Sequence, residues 1–207
     1  MPERRRMQTI TRETVIRQTQ EDYERRLWDC EKFHCEVCGG LCCLYPRPFV
    51  SEYCCILKWM QEYTDNTGEE WIEIVRLVEG HDNTTSGSWG DSSYMRHWGV
   101  VEQRFELIIV AGREERVLKK GWYRLRDRGR RFIRGELLIP RIAIIFKNAL
   151  CDFACEDVSF RQATEVRFDY NELMNGRVVR NEFRPPRVSH EDILRSRRHM
   201  ETLEFAP

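Results

Sequence analysis

The chain lacks any apolar stretch approaching the roughly eighteen residues of a membrane-spanning helix. It also lacks charge of one sign overall: the formal net charge of +0 excludes a uniformly basic nucleic-acid binder, so any electrostatic steering has to come from uneven charge. There is no phosphate loop, no Gly-rich dinucleotide turn, no H-E-x-x-H and no nucleophile elbow. His81, His97, His190 and His199 have no partnering acid–base group that spacing identifies. No catalytic residue is therefore assigned, and no small-molecule substrate is identified. Met1 to Arg6 lacks the apolar run of a signal peptide, which predicts a protein of the nucleus or cytoplasm that is not secreted. Internal repeats are absent as well.

Cysteine is plentiful and unevenly placed. Seven of the nine cysteines fall between Cys30 and Cys55, around Cys35-Glu36-Val37-Cys38-Gly39-Gly40. A two-residue gap lets both thiolates reach one metal, and the glycines let the backbone turn tightly around the sulfurs. In a reducing compartment such spacing reads as metal ligation before it reads as disulfides. Zinc is the expected cofactor, with Cys35 and Cys38 as two ligands and the second pair drawn from Cys42 or Cys43 and from Cys54 or Cys55. Cys30 and His34 are further donors in reach. The C-x4-C-x2-C spacing of Cys30, Cys35 and Cys38 also matches plant-type iron–sulfur proteins, but Glu31-Lys32-Phe33-His34 is bulky where a cluster-wrapping loop wants small residues. A redox pair is disfavoured by Gly39-Gly40, which stops a helix from following. Cys151 and Cys155 read as sharing one face of a short helix.

The second uneven feature is charge. Between Arg113 and Arg141 eleven Lys or Arg face four acids, with Trp122, Tyr123 and Phe132 interleaved. Lys119, Lys120, Trp122, Tyr123, Arg124, Arg126, Arg128, Arg130, Arg131 and Arg134 form the candidate nucleic-acid surface, cations for phosphates and rings for bases. A solvated edge that wards off strand pairing is the competing reading. Between Glu52 and Glu79 seven acids face Lys58 and Arg76, so the acidic stretch is a candidate partner for the basic one.

Periodicity predicts a helix over residues 12–31. A second helix starts at Ser51 with Ile56, Trp59, Met60 and Tyr63 on its apolar side, and a third is capped by Thr67 and Glu70 and stopped by Gly80. Alternation from Val101 to Ile109 predicts a strand, and Gly121–Leu125 with Phe132–Ile133 the arms of a basic hairpin. Residues 137–146 predict a central strand broken at Pro140. Ser189 and Asp192 cap a terminal helix. The fold class is α+β: an N-terminal helical zinc-knuckle module over 1–80, a loop over 81–97, a mainly β domain over 98–183, and a linker with terminal helix over 184–207.

Short length, the Cys35 to Cys55 cluster and a compact basic hairpin together resemble the small cysteine-rich non-structural proteins of DNA viruses, most of all the third non-structural protein of insect densoviruses. The resemblance implies an auxiliary role in viral genome replication or expression and carries over no catalytic residue. A zinc-stabilised nucleic-acid-binding accessory factor is the leading expectation. The competing class is an adaptor for a host protein such as a ubiquitin-ligase component, with Trp59, Met60, Tyr63 or Trp71 as exposed anchors.

Overall fold

A computed structural model describes residues 12–29, 32–35, 39–81, 89–110, 113–182, 189, 193 and 197–198. Helix α1 (Arg12–Trp28) leads into a minimal hairpin of β1 (Phe33–His34) and β2 (Leu41–Cys42). Strand β3 (Tyr45–Pro48) carries the two prolines and occupies the edge of a four-stranded antiparallel sheet, where a missing N–H is tolerated. Its neighbours in order are β7 (Ile139–Phe146), β8 (Ala149–Val158) and the two-residue β9 (Arg197–Arg198). A second sheet of three strands runs β4 (Ile72–Glu73), β6 (Arg113–Leu125), β5 (Val101–Val110). Among the described residues no helix is long and apolar enough to cross a membrane.

Helix α2 (Ser51–Thr67) organises the interior. Cys54, Cys55, Ile56, Leu57 and Met60 on it are sealed from solvent, and Gly68 ends it in the left-handed conformation, φ 75°, with its N–H on the carbonyl of Thr64. The same buried cluster takes in Phe49, Trp98, Phe132, Phe153 and Phe160, so residues on both sides of the 81–97 stretch share one core. Its aromatic spine packs edge-on: Phe49 lies 5.2 Å from Trp98 and 5.4 Å from Phe132, and Phe132 lies 5.4 Å from Phe160. Such pairs contribute about 0.5–1.5 kcal/mol each beyond the area they bury. The opposite face of the four-stranded sheet, with Leu44, Ile142, Ile144 and Ala154, is covered by Leu27 and Trp28 of α1 together with Ile193.

The expected N-terminal helical zinc-knuckle module is not what this arrangement shows. The second helix belongs to the common core, with Ser51 donating not to its own helix but to the carbonyl of Ala163 at 2.7 Å. The Thr67–Glu70 box does not cap a third helix: Thr67 closes α2, Ile72 and Glu73 are extended, and α3 (Ile74–Glu79) starts afterwards. The expected hairpin arm at Phe132–Ile133 is part of helix α4 (Asp127–Ile133), and the residues from Trp89 to Trp98 wind as a 3-10 helix. Cys151 and Cys155 lie on strand β8 rather than on a helix. Short helices α5 (Phe160–Glu165) and α6 (Tyr170–Met174) complete the core, α5 with a reciprocal capping box between Ser159 and Gln162. Of the terminal helix, most lies outside the described residues; Ile193 donates to the Ser189 carbonyl, while Arg197 and Arg198 pair as strand with Ala154 and Phe153. The break at Pro140 is present as a register shift between Pro140 and Ile142.

Candidate interaction surface

The cysteine cluster divides between a surface turn and the interior. At the β1–β2 turn the Gly39 N–H donates to the Cys35 carbonyl and the Cys35 N–H to the Gly40 carbonyl, both at 2.8 Å, with Gly39 at φ 67°. His34 Nδ1 sits 2.9 Å from the Gly39 carbonyl. This tight turn suits the first half of a knuckle. Cys38 and Cys30 lie outside the described residues. Cys42 and Cys43 are buried, and Cys54 and Cys55 are inside α2, where burial pushes the Cys54 thiol up to about 12 and raises that of Cys55 further. Both sit within the core, where the Cys54 thiol donates to the Phe160 carbonyl at 3.9 Å. Among the described residues no three His, Cys, Asp or Glu side chains come together as a metal site, and the donors described do not complete a zinc centre.

The basic residues are scattered, and acids already occupy several of them. Arg124 donates to Glu102 and reaches Glu70 at 3.4 Å, Arg130 lies 3.8 Å from Asp65, and Arg134 grips Glu136 through Nε and Nη2. Lys119 pairs with Glu106 at 2.5 Å, and the Arg128 Nε–H donates to the Trp98 carbonyl. Arg126, just before α4, Arg131, within it, and Lys120, on β6, are the exposed cations that remain from the expected set. Tyr123 is buried, its hydroxyl accepting from Gln103 Nε2 at 3.2 Å, so it offers no ring for a base. Trp122 is half-buried, with Lys119 4.6 Å and Arg104 5.4 Å from its ring centre. Glu70 and Asp65 come from the acidic stretch, so the two opposite charge excesses partly satisfy each other.

Of the expected adaptor anchors two are buried and two, Tyr63 and Trp71, are half-buried. Trp59 and Met60 are core residues, the Tyr63 hydroxyl donates to Glu69 at 2.7 Å, and Arg124 sits 5.0 Å from the Trp71 ring.

Exposed apolar surface appears elsewhere, on the distal part of β5 and β6. From Phe105↔Leu118 to Val110↔Arg113 the two strands pair without interruption. The third strand of this sheet touches β6 only at Trp122 and Tyr123. Beyond that point, among the described residues, both edges of the hairpin are open. Leu107 is 69% and Ile109 76% exposed, and Phe105, Ile108, Val117 and Leu118 are exposed with them. The Arg116 guanidinium lies 4.1 Å over the Phe105 ring. Six large apolar side chains on a two-stranded projection are too many for scattered surface residues. A two-stranded ribbon is also marginal in water unless something packs on it. Sequence reading gave the strand from Val101 to Ile109 but not the exposure of its distal part. The available signal was Leu107-Ile108-Ile109-Val110, where alternation fails and both faces become apolar, opposite the charged Arg113-Glu114-Glu115-Arg116.

No family model, curated protein or solved structure matches this chain.

Proposed function

We propose that this is a protein-interaction factor that works through the β5–β6 arm. The observation that carries the reading is the cluster of exposed Phe105, Leu107, Ile108, Ile109, Val117 and Leu118 on a hairpin with two open edges. Apolar area left in water at that density gains free energy when a partner covers it, at about 25 cal/mol per Å². An open edge adds main-chain hydrogen bonds to the same partner. The nucleic-acid reading is less well supported, because a phosphate would have to compete with carboxylates for Arg124, Arg130 and Arg134, and Tyr123 is buried. An auxiliary protein without assigned catalytic residues, as the densovirus resemblance implies, acts by such contacts.

Affinity for single- and double-stranded DNA and RNA at low and raised salt tests the choice. An interaction arm gives weak binding with little response to Arg126→Glu or Arg131→Glu. Tight binding that falls steeply with salt and is lost in those variants would return the function to nucleic acid.

A further inference from the structure

We infer that the partner on the β6 edge is a second copy of this chain, paired antiparallel about a two-fold axis at Val117; this rests on the arm being an interaction surface. The exposed edge reads Glu114-Glu115-Arg116-Val117-Leu118-Lys119-Lys120, acidic at its start, apolar at its centre and basic at its end. Antiparallel pairing inverts one strand against the other. Centred on Val117, it sets Glu114 against Lys120, Glu115 against Lys119 and Arg116 against Leu118 of the second copy, with Val117 against itself. Every one of these pairs except Val117 against itself occurs twice because the axis is two-fold. Parallel pairing in register would instead set Glu against Glu and Lys against Lys.

Three features of the structure fit this occupant. Among the described residues no strand lies on this edge before Trp122 and Tyr123, where β4 pairs; Glu114 to Leu118 are in the regular ladder, and Lys119 and Lys120 follow it where the register with β5 shifts. Glu114, Glu115 and Lys120 make no ion pair among the described residues, so their charges are available. Lys119 already contacts Glu106, but an ammonium has three donors and serves Glu115 of a second copy as well. The pairing turns two marginal ribbons into one four-stranded sheet, β5-β6-β6-β5, and joins the exposed Phe105, Leu107 and Leu118 of both copies on a shared surface. Strand β5 has no such inversion: Glu102, Arg104 and Glu106 sit at its start and Leu107 to Val110 at its end. Charges on an edge ordinarily prevent self-pairing. Here their order, acid first and base last, selects one antiparallel register.

Charge reversal in the full-length chain tests this. Sedimentation over a concentration series should show the parent as a dimer. Glu114→Lys with Glu115→Lys, or Lys119→Glu with Lys120→Glu, should each weaken the dimer about tenfold, because like charges then face each other across the axis. An equimolar mixture of the two should recover association to within about threefold of the parent. A gentler pair, Glu114→Lys and Lys120→Glu, leaves the Lys119–Glu106 contact in place, and thermal melts confirm that each variant is folded. A parent that stays monomeric, variants that dimerise like the parent, or a mixture that does not recover would each overturn the self-pairing. None of these removes the arm reading, which fails separately if nothing binds at the apolar face.

Discussion

Arg124 donates from both Nε and Nη2 to a single oxygen of Glu102, at 2.9 and 2.8 Å, across the β5–β6 ladder. This contact gives the middle of the basic stretch an acidic neighbour with which a phosphate would have to compete. Both side chains remain more than a third exposed, so solvent screens the pair. Glu102→Gln should therefore lower stability by less than about 1 kcal/mol, with a smaller effect at raised salt. Denaturant titrations at two ionic strengths check this. A salt-independent loss of core-mutation size would mean that the pair is structural.

Gly129 is the residue that lets α4 sit against Val100, just before β5. A Cβ there would lie 2.4 Å from the Val100 carbonyl oxygen and 2.7 Å from Leu125 Cδ1. Ordinarily Gly→Ala inside a helix stabilises. Here Gly129→Ala should destabilise by roughly 1–3 kcal/mol, because backbone rather than a flexible side chain blocks the methyl. A thermal melt at or above the parent value would show that α4 moves away freely.

The cysteines should separate by reactivity. Cys54 and Cys55 have no solvent access, and burial holds their thiols protonated. In folded, reduced protein a thiol alkylator should leave both unmodified while half-buried Cys35 reacts; in denaturant all should react. Peptide mass spectrometry reads the outcome, and rapid native modification of Cys54 or Cys55 would contradict their place in the core.

His97 is buried between Arg96 and Trp98, and loss of hydration, with the Arg96 charge second, lowers its pKa to about 4. A depressed folded pKa means that protonation favours the unfolded chain. The stability His97 supplies is complete above the ordinary histidine range near 6.5 and is lost as pH falls through that value towards about 4. Compared with the parent, His97→Gln should show a shallower loss of stability over this window. Proton NMR should find the His97 ring neutral at about pH 5.5, and a ring that titrates near 6.5 would contradict the burial.

How much was legible depended on whether local pattern and tertiary context agreed. The alternation from Val101, the break at Pro140 and the helix from Arg12, which ends at Trp28 rather than at 31, are local properties. Helix α4 is different: Asp127-Arg128-Gly129 reads as a turn, and only the close approach of Gly129 to Val100 and the burial of Phe132 and Ile133 make it helical. Cysteine spacing likewise conveyed the tight turn after Cys35 but not that Cys54 and Cys55 face inward, since periodicity does not distinguish a buried thiol from a ligand. Strand alternation also does not reveal which end of a hairpin leaves the body of the protein. That is why the exposure of the arm at Leu107 and Ile109 went unread and the cations beside it drew the functional expectation.

The most direct measurement replaces Ile109 by a photo-crosslinking side chain in the full-length protein, expressed in cells, with the same replacement at exposed Asn171 on α6 as control. Irradiation should give adducts at position 109 that protease removes and nuclease does not, with none at position 171. Adducts at position 109 that nuclease removes, or equal adducts at both positions, would contradict the arm as a protein-binding surface.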